Sequence, residues 1–429
     1  MVADTLADAD VGERHDGGAG IDVDIDVDVA IVGDGLVGRP LALALVARGW
    51  HVALIDRLQG ARSTASAGLD GSRDPLRERC TAISIATRDW LEREGLWDAG
   101  AARAESIRSV RVSHRGFFGA TRLDADELGE RALGATIENT ALVASLQPLL
   151  DGHAAAGRIV HLEGMAPRGT TLRAGRRCLA LENGAGEVAT GVRARLLVAA
   201  DGADSRTREL LGIDTRRHDY AQSAVLGTVR LDRDHGGVAI ERFTADGPLA
   251  LLPRPGRHMN LVACADPQRA AMLQGLSDAG WLAELSRLAP GRLGRFVATG
   301  PRTVVPLVRI EAQRTHAGRA LLLGNAARLL HPVAGQGYNL ALRDVAALVR
   351  HLDRAAGTDP GAQGEIDAFE RARRADRQRT VRLTDALART FRGTFAPLGH
   401  ARAGGLIALD AIGPARRAFA RVAMGRKVA

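Results

Sequence analysis

The sequence predicts an α/β protein in which a Rossmann-like dinucleotide-binding unit is interleaved with β-rich inserts and followed by helices. Three observations predict it. A strand, glycine turn, helix and second strand stand near the N-terminus, and a second apolar run at Leu196–Ala200 ends on Asp201-Gly202. A third, Leu321–Leu323, runs into a glycine-lined loop far along the chain. The stretches between them read as short alternating runs with turns.

The first element is the most informative because its context is right. Ile21 to Val27 alternates apolar residues with aspartate, and Val29-Ala30-Ile31-Val32 then leads into Gly33-Asp34-Gly35-Leu36-Val37-Gly38. A helix follows from Pro40 to Gly49, and a second strand, His51 to Ile55, ends on Asp56. Glycines at this spacing allow a tight turn and close approach of backbone to a pyrophosphate, and a carboxylate about twenty residues on bonds ribose hydroxyls. Pro40 sits where the helix N–H would be free anyway. Asp34 brings a negative charge close to the expected pyrophosphate. Its side chain is expected to point to water, with Arg39 offsetting it.

The second element, Asp201-Gly202 at a strand end, can approach a phosphate-bearing or ribityl chain, and Arg206 and Arg208 open the next segment. By itself it is also a common turn. In the third, the buried-strand run ends at Gly324, and Asn325 can reach a sugar-like hydroxyl chain. Pro332 to Gly337, with Gly335 and Gln336 between, forms a proline-stiffened loop before a helix that opens near Asn339. Free N–H groups at a helix N-terminus suit an anion, and a reduced flavin carries negative charge on its pyrimidine edge. An ordinary strand, loop and helix crossover would read the same way in isolation.

Order and spacing of the three runs carry the resemblance. The chain resembles the single-component flavoprotein aromatic hydroxylases of the p-hydroxybenzoate hydroxylase fold, and among them the hydroxylases of ubiquinone biosynthesis, the 2-polyprenyl-6-methoxyphenol hydroxylases in particular. Further stretches share it: Arg79-Cys80-Thr81-Ala82-Ile83-Ser84, Val112 to Gly116, Leu133-Gly134, Tyr220-Ala221-Gln222 and Glu241 to Pro253. The resemblance implies that Gly33, Gly35, Gly38 and Asp56 hold the ADP half of FAD and Arg79 its pyrophosphate region. Asp201 and Gly202 would lie near flavin and nicotinamide, Gly324 and Asn325 at the ribityl chain, and Pro332, Gly335, Gln336, Gly337 and Asn339 against the ring. Arg77 stands where the family has an aspartate, and His114 and Phe117 replace an aspartate and a histidine.

The resemblance also implies a chemistry: FAD reduced by NAD(P)H, O2 captured as a flavin C4a-hydroperoxide, and OH transferred to a polyprenyl phenol. No nucleophile or metal is needed. His331 is a candidate base by position, with Tyr338 behind it, and otherwise a packed residue. Leu252 and Pro253 offer apolar wall for a greasy substrate. Hydroxylation of a small soluble aromatic stays open, as does a weakly active flavoprotein within a biosynthetic assembly.

Domain limits follow from these placements. An acidic lead, expected to be disordered, covers residues 1–27; an FAD-binding domain is assembled from 28–104, 137–211 and 307–357. A substrate domain takes 105–136 and 212–306, and a helical C-terminal region takes 358–429. Charge is segregated: residues 1–28 carry a net −8 within a chain of net +8, and residues 370–429 carry +10. A basic amphipathic tail suits either an anionic lipid surface or a helix packed on its own protein with a solvated arginine face. The expected location is cytoplasmic, with a peripheral seat on the inner membrane left open. Nucleic-acid binding is not expected, since aromatic content is only 3% and no recognition module appears.

Overall fold

The computed structural model describes residues 23–58, 79–97, 103–355, 357–390 and 396–426. Most of the acidic lead and Arg77 lie outside them. A seven-stranded sheet has the order β8-β2-β1-β11-β10-β9, with β18 also paired to β11. Its strands are β1 (Ile25–Val32), β2 (Val52–Asp56), β8 (Ile159–Glu163), β9 (Ala166–Arg173), β10 (Arg176–Glu182), β11 (Val188–Ala199) and β18 (Ala320–Leu322). Strands β2, β1, β11 and β18 are mutually parallel, so their C-terminal ends share one edge. At that end β18 takes the place that β10 holds beside the start of β11.

These strands form because Val29 to Val32, Val52 to Ile55 and Leu196 to Ala199 are apolar on both faces and are almost fully buried. One face packs on the helices Gly38–Val46 and Gln336–Arg354, and the other on Leu211, Ile213 and Ala326. β1 begins at Ile25, inside the segment expected to be part of the lead, because its aspartates find cations across the sheet. Asp26 pairs with Arg176 and Arg193, and Asp28 with Arg195.

A second, nine-stranded sheet runs β19-β17-β12-β15-β14-β13-β5-β6, with β16 beside β12. These are β5 (Ser109–His114), β6 (Ala120–Asp124), β12 (Thr215–Leu231), β13 (Val238–Phe243), β14 (Pro248–Arg254), β15 (His258–Ala265), β16 (Phe296–Thr299), β17 (Thr303–Ala312) and β19 (Arg328–Leu329). Helices Pro267–Gly275 and Asp278–Leu288 cover one face through Leu273, Trp281 and Leu285 against Leu249, Leu251 and Leu261. The other face packs on Ile85, Val333, Leu387 and Met424. A small sheet of β3 (Cys80–Ser84), β7 (Gly134–Glu138) and β4 (Ala104–Ile107) bridges the two.

The C-terminal region is helical. Helix Gln363–Thr390 lies along Gln336–Arg354 and is fixed to it where Arg373 and Arg377 donate to the buried Asp344. Helices Ala396–Ala411 and Gly413–Ala423 pack onto β6. Much of the basic tail is therefore seated on its own protein.

Candidate active site

The three glycine-ended runs converge. Gly33, at φ 111°, is so close to the end of β11 that a Cβ there would lie 2.4 Å from the Ala200 carbonyl oxygen. Gly38 closes the turn, since its Cβ would fall 1.8 Å from the Gly33 oxygen. The third run reaches the same place: a Cβ on Gly324 would meet the Val37 side chain at 3.1 Å, and the Tyr338 hydroxyl donates to the Leu36 carbonyl at 3.1 Å. All three turns thus sit together at the C-terminal edge of parallel strands, where α/β sheets bind their ligands.

Gly35, Gly202 and Gly337 differ from Gly33 and Gly38. Nothing lies within 4 Å of a Cβ placed on any of the three, so their backbones border open space. Asn325 and Pro332, both exposed, belong to the third run at this edge, and exposed Arg79 directly precedes β3 of the small sheet. This is a cradle of backbone and short polar groups, and the residues fit an FAD laid across it.

Several expected ligands are engaged elsewhere. Asp56 accepts from the backbone N–H groups of Asp34 and Leu58, both at 2.8 Å, which anchors the glycine turn to β2. Asp34 does not point to water. Its carboxylate is buried in a bidentate pair with Arg39 and takes His161 Nε2 at 3.0 Å. Burial alone would raise this carboxyl, but hydrogen bonds from Arg39 and His161 outweigh that and hold it below the usual range. Arg39 also donates to the Val143 carbonyl and to Gln147.

Asp201 caps the short helix after it, accepting from Ser205 Oγ and from the N–H and hydroxyl of Thr207. Only the backbone of this turn remains for a cofactor. Asn339, expected against the ring, has its amide spent within the protein. It accepts from the Ser84 N–H and the Thr87 hydroxyl and donates to the Ala82 and Gly335 carbonyls. The side chain therefore fastens β3 to the loop before helix Gln336–Arg354, because buried amide groups must be paired. Gln336 similarly donates to Ala423 of the C-terminal segment.

His331 is buried, and its Nδ1 accepts from the Val333 N–H at 3.2 Å. In the neutral ring the proton must then sit on Nε2, so no ring nitrogen is left to accept a proton. Behind it stands Tyr220, not Tyr338, with ring centroids 4.9 Å apart and edge to face. A register shift between Asp219 and Ser223, with Ala221 at φ 49°, bulges β12 and turns Tyr220 inward. The Tyr220 hydroxyl donates to Asp385, which Arg309 also holds. The expected substrate pair is split by strand alternation. Leu252 faces Ile107, Leu123 and Met424 on the cleft side. Pro253 pairs with Met259 and shares the helix-covered face of Leu251, so it forms no cleft wall.

Residues 26–384 match the family described as FAD binding domain. The chain is 37% identical over 401 residues to the ubiquinone hydroxylase UbiL of Rhodospirillum rubrum, covering 92% of this chain and 89% of that protein. It is 33% identical over 413 residues to the 3-demethoxyubiquinol 3-hydroxylase of Escherichia coli, covering 92% and 98%. The chain belongs to the family of FAD-dependent hydroxylases that serve ubiquinone biosynthesis. Its fold agrees with that of p-nitrophenol 4-monooxygenase PnpA from Pseudomonas putida, at TM-score 0.73 and 16% identity over 94% of this chain and all of the other.

Two features of the hydroxylase were not singled out in the sequence, Tyr220 within a motif stretch and Arg254 just beyond one. Tyr220 required the β12 bulge, which sequence alternation does not reveal. Arg254 is fully buried and spans Thr228 and Glu138, tying the β14 strand to the small sheet. Its partner is more than a hundred residues away, and no local pattern signals it.

Proposed function

We propose that this hydroxylase places OH on the ring of a polyprenyl phenol of ubiquinone biosynthesis, using NAD(P)H as electron donor and O2 as co-substrate. One observation carries the reading: the third run, which shares the edge of the glycine turns, sets Val333 against Tyr220 and Phe243 on the apolar face of the nine-stranded sheet, so a polar cradle and a greasy wall are neighbours. When bound, FAD would supply the redox chemistry and activate oxygen. Gly33, Gly35 and Gly38 would let backbone approach the pyrophosphate, and Asn325 would meet the ribityl chain. The Pro332–Gly337 loop would lie against the ring and, with Leu252 and Val333, keep water from it. No second dinucleotide fingerprint accompanies the first, so NAD(P)H would bind transiently without a Rossmann unit of its own. Association with other ubiquinone-pathway enzymes, and a peripheral seat on the inner membrane from the cytoplasmic side, fit a substrate with an isoprenoid tail.

The test is mass spectrometry of lipid extracts from cells lacking this gene. Ubiquinone should fall, with a 2-polyprenylphenol or its methoxy derivative accumulating. Unchanged ubiquinone in a strain without redundant hydroxylases would overturn the reading and favour a small soluble aromatic, for which no cationic carboxylate anchor was evident in the sequence.

A further inference from the structure

Glu241 lies in the middle of β13, opposite Val112 of β5 on one side and Ala250 of β14 on the other. Alternation gives it the same face as Ala239 and Phe243. Ala239 belongs to the apolar cluster with Ile85 and Met424, and Phe243 to the cluster with Tyr220 and Val333. Ile240 between them belongs to the helix-covered side. The carboxyl therefore lies on the face of the sheet that packs toward Val333 of the His331–Gly335 loop. Its Oε1 is buried and has no hydrogen-bond partner, and no cation pairs with it among the described residues. Arg242 next to it points to the opposite face. A lone acid among valine, alanine and phenylalanine is costly for folding and packs less well than leucine would. Such a group marks a functional site when it also borders a cleft.

We propose that Glu241 accepts the hydroxyl proton of the phenol substrate and is a catalytic base of this hydroxylase. The assignment rests on the phenol-hydroxylation reading. In the step, the phenol O–H bond breaks, a carboxyl O–H bond forms, and the electron pair stays on the phenolate oxygen, raising electron density on the ring. No oxidant is consumed in it.

Strength as well as position suits the task. Burial pushes the Glu241 carboxyl up to about 8. Its proton affinity is thereby within about a hundredfold of a phenol's, whose ordinary pKa is about 10. Other ionisable groups at the cleft are less suited. Cys264 on β15 is held protonated by burial and by the charge of Glu241. His114 on β5 stacks on Phe117. Tyr220 on β12 and Arg309 on β17 are engaged with Asp385. His331 has its acceptor nitrogen spent on Val333.

The experiment uses the FAD-loaded full chain and an alkylated 4-nitrophenol, whose phenolate absorbs in the visible. Because the Glu241 carboxylate opposes a second negative charge beside it, the probe bound to the wild type should ionise at higher pH than when bound to E241Q. In parallel, wild-type kcat/KM should rise about tenfold per pH unit and level off above about pH 8, because the ionised carboxylate is the active form. E241Q should lose that rise. Equal ionisation of the probe in both proteins, or a wild-type profile flat from pH 6 to 9, would overturn the assignment while leaving hydroxylation in place. Should E241Q fail to load FAD, the wild-type profile alone decides. A wild type that binds no phenol probe would sink the phenol reading, and this assignment with it.

Discussion

A methyl group added to each glycine of the first turn separates packing from cofactor contact. At Gly38 it would overlap the Gly33 carbonyl, and at Gly33 the Ala200 carbonyl, so the protein itself forbids alanine there. At Gly35 it would meet no protein atom, and the backbone there is not left-handed. Gly35→Ala should therefore leave the apoprotein within about 1 kcal/mol of wild type in urea denaturation, with any gain coming from a stiffer unfolded chain. Its FAD affinity, read by flavin fluorescence quenching, should fall at least tenfold, since the methyl would occupy the space the pyrophosphate needs. Wild-type affinity in Gly35→Ala would remove the cofactor from this turn. Gly38→Ala should fail to fold. The need for these glycines was legible in the sequence because a turn demand is local. The saturation of Asn339 and the inward aim of Asp34 were not, because their partners lie across the fold.

At the scale of elements, the glycine turn is held by a buried ion cluster. Asp34 in the turn, Arg39 at the start of the helix and His161 on β8 share one carboxylate, while Arg39 also reaches Val143 and Gln147. Removing one partner leaves an uncompensated buried charge, which costs about 3–5 kcal/mol. Arg39→Ala should lose that much stability by urea denaturation, and Asp34→Ala with Arg39→Ala should recover part of it. The acid dependence has a fixed sign. The Asp34 carboxyl is held below its ordinary range, so the cluster stabilises the fold at neutral pH and that contribution fades as pH falls below about 4. A loss under about 1 kcal/mol in Arg39→Ala at pH 7 would show the cluster to be dispensable. Element identity was readable from apolar runs and turn residues alone. What joined the elements was not, since β13 pairs in parallel with β5 across more than a hundred residues and only the folded register brings them together.

Over the whole molecule, charge and apolar surface decide what the C-terminal region does. Its arginines fall into two sets. Arg373 and Arg377 point inward to Asp344, Glu370 and Asp376 and fix the long helix, which accounts for part of the basic excess. Arg417 and Arg421 remain exposed. Exposed beside them along the last two helices are Ile407, Ile412 and Phe419. Phe118, at the tip of the β5–β6 turn, is 95% exposed, and Gly119 next to it abuts Ala403 and Ile407. Bulky apolar groups among arginines are the combination that enters an anionic bilayer surface, each arginine contributing about 1 kcal/mol within a Debye length. The full chain should therefore co-sediment with vesicles containing phosphatidylglycerol, less so with neutral vesicles, and progressively less as salt rises. A variant carrying F118S, I407S, R417E and R421E should lose vesicle binding and turn over long-tailed phenols more slowly. Short-tailed, water-soluble phenols should react at the wild-type rate, because none of these residues borders the glycine turns or Glu241. Equal slowing on both substrates would mean that the substitutions disturb the cleft, and absence of wild-type binding at low salt would leave this face without a membrane role.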